Sequence, residues 1–144
     1  MTVPPLDHEQ VVDRILSMDE RLREISGGRT RLLPITKAFG PEAVLAVLAA
    51  GHLAVGENYA QELLAKHEAL GDRSIEWHMI GNVQRNKVRR LVGPVAVWQT
   101  IDRPALVSEV AKRSPGGRIF VQVDCLDVPG RGGCPPSEVE SLVA

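Results

Sequence analysis

The apolar residues of this chain change their spacing repeatedly, from every second position to every third or fourth, with glycine or proline at nearly every change. A leading amphipathic helix comes first. Val11, Ile15, Met18, Leu22 and Ile25 fall at alternating steps of four and three between Leu6 and Ser26, and Gly27-Gly28 ends the run. Arg31 to Lys37 (RLLPITK) has the profile of a strand, and Gly40-Pro41 opens a helix that reaches Ala50. Leu53 to Val55 reads as a second strand, followed by a helix from Glu57 to Leu70 with Gly71 as its cap. Glu76 to Ile80 (EWHMI) reads as a third strand, Asn86 to Val92 as a short basic helix and Val95 to Thr100 as a fourth strand. Asp102 and Pro104 start a helix over Ala105 to Arg113, and Arg118 to Val123 is the fifth strand. Asp127 to Pro136 is a Gly/Pro loop, and Ser137 begins another helix.

Strands that alternate with helices in this way predict parallel strands joined by right-handed helical crossovers, hence an α/β fold. Two architectures satisfy the pattern. A doubly wound open sheet of five strands fits 144 residues, whereas a closed (β/α)₈ barrel takes about 250, so length alone favours the open sheet. No GxGxxG or GxxxxGK[ST] spacing follows the first strand, where the sequence runs TKAFGPE, and that weakens a dinucleotide-binding reading.

Several function classes are excluded by composition. Seventeen Lys plus Arg against eighteen Asp plus Glu give a net charge of -1, and aromatics make up 3%, so neither a positive field nor stacking platforms point to nucleic acid. The basic cluster Arg85, Lys87, Arg89 and Arg90 reads as a solvated helix face, with nucleic-acid or protein binding as the competing use. The longest apolar run, Ala43 to Ala50, is too short for the roughly 20 residues of a spanning helix, and no membrane partner is expected. The opening MTVPPLDHEQ lacks the basic and apolar regions of a secretory signal, and a cytoplasmic location is expected. Cys125 and Cys134 have no CxxC spacing, and His8, His52, His67 and His78 are scattered, so no metal site is expected.

In both architectures ligands bind where strands give way to loops at their carboxyl ends. The first strand ends in Lys37, on the face shared by Leu33 and Ile35. An amine emerging from an apolar strand can form an imine with a carbonyl compound, pyridoxal phosphate included, although a strand-terminal lysine directed at solvent is commoner. The second strand runs into Gly56, Glu57, Asn58 and Tyr59. The third carries His78 and runs into Gly81, Asn82 and the polar segment beyond; an internal histidine of this kind is more often a hydrogen-bonded core residue than a catalyst.

Taken in order, LLPITK, AAGHLAVGENYAQELLAKHEAL, EWHMIGNVQRNKVRRLV, TIDR (Thr100 to Arg103) and FVQVD (Phe120 to Asp124) resemble the pyridoxal phosphate homeostasis protein family. The fold of that family is similar to the N-terminal barrel of alanine racemase. The resemblance reverses the preference drawn from length. It implies a (β/α)₈ TIM-barrel type that is incomplete here: one partial barrel domain over residues 1–144, with 1–28 as the leading helix and 29–144 as the first five strand-helix units.

The resemblance further implies that Lys37 holds pyridoxal 5'-phosphate as a Schiff base, and that Asn58, Tyr59, His78 and Gly81 line the barrel mouth around it, near a loop bearing Asn86 and Lys87. It implies a non-enzymatic role in intracellular vitamin B6 homeostasis, with a small-molecule cofactor as partner and no catalytic residue. The competing reading is a fold-type III enzyme, an amino-acid racemase or decarboxylase, which carries a second domain to complete its site. Three departures stand out: Pro34 within the first strand, Asp124 where the family often has asparagine, and an end after five strands, before the units that hold the phosphate in family members. A truncated barrel of this kind is expected to leave open edges that promote self-association.

Overall fold

In the computed structural model, described over residues 5–126 and 130–144, the chain opens with helix α1 (His8–Ser26). Asp7 caps it by accepting the Gln10 N–H at 3.0 Å, and Gly27 ends it with φ 61, the left-handed conformation glycine adopts at no steric cost. The expected stripe on this helix is only partly used. Ile15 is buried and Val11 packs on the core, while Met18 and Ile25 stay exposed, because α1 packs on α2 (Pro41–Ala49) and no described element covers the far end of its stripe.

Four strands follow in alternation with helices: β1 (Ala54–Glu57), α3 (Ala60–Leu70), β2 (Glu76–Met79), α4 (Arg85–Leu91), β3 (Val95–Ile101), α5 (Pro104–Arg113) and β4 (Arg118–Val121). A 3-10 turn (Pro136–Glu138) and a short helix, α6 (Val139–Val143), close the described chain. All pairings are parallel and the strands lie in the order β1-β2-β3-β4, so neighbours in sequence are neighbours in space. That order carries no reversal of direction across the sheet, the mark of a doubly wound fold, and is the order of successive staves in a barrel.

The expected first strand, Arg31 to Lys37, shrinks to a single bridge between Ile35 and Gly56. Gly56 N donates to Pro34 O at 2.9 Å and Thr36 N to Gly56 O at 3.1 Å, but Pro34 has no N–H to extend the ladder, and the chain turns at once, with Phe39 N donating to Thr36 O. This segment still occupies the place of a first stave beside β1. Two helix starts also differ from expectation. Glu57 ends β1, so its helix begins at Ala60, and Arg103 takes the cap position expected of Asp102. Asp102 instead accepts the Gly133 N–H at 3.2 Å and pairs with Arg103. Of the expected Gly/Pro loop, residues 127–129 lie outside the described residues, as do residues 1–4 of the amino-terminal segment; Cys134 returns to bridge Val123 in parallel.

Strand alternation divides the sheet between two environments. Val55, Trp77, Met79 and Trp98 face the helices and form one core with Val44, Val47, Leu63, Val88, Leu91 and Leu106. Trp77 and Trp98 are 1% and 0% exposed, and aromatic side chains of that size dominate the apolar area such a core removes from water. Glu76, His78, Gln99 and Arg118 lie on the other face and line an open cavity of about 750 Å³. Among the described residues no helix is long and apolar enough to cross a membrane.

Candidate functional site

At the carboxyl ends of the strands, β1 runs into Asn58 and Tyr59, β2 into Gly81 and Asn82, and β3 into Asp102 and Arg103. One backbone and one side-chain hydrogen bond tie the β2 end to its neighbours on β1 and β3. Ile80 N donates to Glu57 O at 2.9 Å, and Thr100 Oγ1 donates to Gly81 O at 2.6 Å. Gly81 permits the approach: a Cβ there would stand 1.8 Å from the Asn58 carbonyl oxygen, so no other residue fits this backbone. Between these ends lies a cavity of about 490 Å³ lined by Asn58, Tyr59, Asn82, Gln84, Lys87 and Arg103. Its wall offers the carboxamides of Asn58, Asn82 and Gln84, the Tyr59 phenol and the cations Lys87 and Arg103, a donor set suited to a polar, anionic ligand.

The residues expected at the mouth are thus distributed over two places. Asn58 and Tyr59 line the mouth cavity, with Gly81 forming the backbone contact behind Asn58. Asn86 and Lys87 belong to the first turn of α4 and not to a loop, and Lys87 reaches the same cavity. His78 lies in the larger cavity, on the opposite face of β2 from Trp77 and Met79. Its Nε2 contacts Glu76 Oε1 at 2.9 Å and its Nδ1 contacts Gln99 Nε2 at 2.7 Å, a pair of contacts that a neutral ring protonated at Nε2 satisfies. The hydrogen bond from His78, and then that from Arg118 at 2.8 Å, hold the Glu76 carboxyl below the ordinary carboxylate range. The interior face of the sheet thus carries a continuous polar chain from Arg118 to Gln99.

Lys37 is exposed, in the turn that follows the bridged segment. Thr36 before it is 3% exposed, and its Oγ1 donates to Glu57 Oε1 at 2.5 Å. Lys66 of α3, also 3% exposed, donates to the same carboxylate oxygen at 2.6 Å and to the Thr36 carbonyl at 2.7 Å. Ala38, on the other side of Lys37, has φ 66, a left-handed conformation that costs a non-glycine residue about 1 kcal/mol or more. Its N–H donates to Glu62 Oε2 at 2.9 Å. Glu57, Glu62 and Lys66 were not singled out by sequence reasoning. Lys66 nonetheless occupies the apolar stripe of α3 between Leu63 and Leu70, and Glu57 alternates with buried Val55, two placements that mark a charge as buried and partnered.

No protein-family model matches the chain. It is 34% identical over 141 residues to the pyridoxal phosphate homeostasis protein of Aquifex aeolicus, covering 92% of this chain and 60% of that protein. It is 34% identical over 147 residues to the protein of the same name from Vibrio alginolyticus, covering 93% of this chain and 62% of the relative. Among solved structures, PipY of Synechococcus elongatus with PLP bound matches with a TM-score of 0.80 at 26% identity, over 93% of this chain and 62% of PipY. The chain therefore spans about three fifths of the length of these relatives, and its sheet and helices follow the arrangement of PipY.

Proposed function

We propose, on the premise that this chain is a homologue of the pyridoxal phosphate homeostasis proteins, that it binds pyridoxal 5'-phosphate through Lys37 and acts in vitamin B6 homeostasis without catalysing a reaction. The observation that carries the reading is the exposed Lys37 amine at the carboxyl end of a barrel stave, in a chain whose structural neighbour is described with PLP bound. The donor set of the mouth cavity supports it. Asn58 and Tyr59 offer polar contacts to a pyridine ring, Lys87 and Arg103 offer positive charge to a phosphate, and Gly81 lets the β1 and β2 ends close behind Asn58. When bound, the cofactor would supply an aldehyde, and the Lys37 amine would be the group that holds it by condensing with that carbonyl with loss of water. His78 takes a separate part in this proposal, as a residue whose two hydrogen bonds order the interior face of β2.

A cytoplasmic location and a single partial barrel domain over residues 1–144 belong to the same reading; the free thiols of Cys125 and Cys134 suit a reducing compartment. So does self-association through the open sheet, supported by Phe120 on β4, which is 56% exposed. The test is spectroscopic. Adding pyridoxal 5'-phosphate to the chain should give the visible absorbance of a lysine imine, and Lys37→Ala should remove it. A band of the same strength in Lys37→Ala refutes the assignment, and racemisation of alanine faster than by free cofactor refutes the non-enzymatic role.

A further inference from the structure

We propose that Glu57, Lys66 and Glu62 are positioning residues that clamp the backbone on both sides of Lys37 and so present its amine from a fixed turn. The inference rests on the assignment of Lys37 above and adds how that amine is held. Glu62 and Lys66 stand four residues apart on α3, hence on one face of the helix, and that face meets the turn at two points. Lys66 Nζ binds the Thr36 carbonyl at 2.7 Å, and the Glu62 carboxylate takes the Ala38 N–H at 2.9 Å. Glu57 completes the grip from β1 by holding both Lys66 Nζ and the Thr36 hydroxyl. Its side chain is 0% exposed and that of Lys66 4%, so the charges are removed from water on the helix side of the sheet, while Lys37 between the clamped peptides remains exposed.

A fixed backbone with a free side chain is what a lysine nucleophile requires, since ordering the turn beforehand removes that cost from the bond-forming encounter. The left-handed Ala38 agrees with this. A non-glycine residue stays in that region only where its surroundings over-determine it, and the Glu62 contact is such a constraint.

The test is competitive labelling of the full chain. Each protein is treated with limiting pyridoxal 5'-phosphate, reduced with borohydride, and the label on Lys37, Lys66, Lys87 and Lys112 is quantified by peptide mass spectrometry. Lys112, exposed in the last turn of α5, is the internal reference for an unorganised lysine. Lys37 should outcompete Lys112 in the unaltered chain. In Glu57→Gln/Lys66→Met, and separately in Glu62→Ala, the ratio of Lys37 to Lys112 label should fall by about tenfold, while Lys66→Arg, which keeps a buried cation, should retain most of it. Should the double variant fail to fold, Glu62→Ala carries the test, because its carboxylate is not part of the buried pair. An unchanged ratio in folded variants overturns the positioning role and leaves the Lys37 assignment intact. A Lys37 that never outcompetes Lys112 overturns that assignment and the clamp with it.

Discussion

Removing the ammonium of Lys66 should cost more stability than removing it together with its partner charge. In Lys66→Met the Glu57 carboxylate remains 0% exposed and keeps only the Thr36 hydroxyl as donor, since its second oxygen, Oε2, has no partner among the described residues. Breaking a buried pair on one side in this way costs about 3–5 kcal/mol, a large share of the roughly 5–15 kcal/mol that holds a domain folded. In Glu57→Gln/Lys66→Met no buried charge is left. The amide still accepts the Thr36 hydroxyl, and the remaining penalty is an unpaired amide N–H and a Thr36 carbonyl reduced to the Phe39 N–H, together about 1–3 kcal/mol. The double variant should therefore be more stable than Lys66→Met alone by about 2 kcal/mol. Urea unfolding followed by tryptophan fluorescence reads this directly, because both tryptophans, Trp77 and Trp98, are buried in the core that α3 covers. Equal losses in the single and double variants, or simple additivity, would refute the claim that Glu57 and Lys66 act as one buried unit.

Two further outcomes follow from the geometry. Gly81→Ala places a methyl 1.8 Å from the Asn58 carbonyl oxygen, so the β1 and β2 ends must separate by roughly 1 Å or more. We expect a loss of at least about 1–3 kcal/mol in urea together with a weaker imine band, and a variant as stable and as strongly absorbing as the parent would show that the close approach is dispensable. The Glu76 carboxyl titrates below its ordinary value of 4.5, held down first by His78 and then by Arg118. A depressed folded-state value means that its stabilisation is complete above about 4.5 and is lost as pH falls through the lower folded value. Glu76→Gln should accordingly flatten the acid limb of the stability curve, and an acid limb identical to the parent's would dismiss the contribution.

Much of the fold can be read from spacing alone because helices and strands are local. Asp7 and Gly27 cap α1, Pro41 and Pro104 stand at the first positions of α2 and α5, and the bounds of these three helices lie within a residue or two of those the periodicity predicts. The same holds for the alternation of faces on β2, where Trp77 and Met79 are buried and His78 between them turns to the opposite side. Lys37 itself was visible as an amine ending an apolar run, and Asn58, Tyr59 and Gly81 as residues of strand-to-loop junctions.

What spacing could not supply were relations between distant segments. Length favoured an open, doubly wound sheet, yet the strands lie in sequential order, a relation between segments that no local pattern encodes. His78 is on the strand it was assigned to, but its partners there, Glu76 two residues before it and Gln99 on β3, could not be named from spacing. Lys66 and Glu57 read locally as charges on apolar faces. Only in three dimensions do residues 21 to 30 positions apart bring them to the Thr36 hydroxyl and carbonyl, where a buried ammonium and a buried carboxylate satisfy each other and the main chain beside Lys37. The sequence by itself therefore determined the elements, their faces and the candidate amine, since these depend on backbone geometry over a few residues. Tertiary structure alone decided the strand order, the contact of His78 with Gln99 and the hydrogen bonds on both sides of Lys37, since a buried polar group must find its partner wherever in the chain that partner lies.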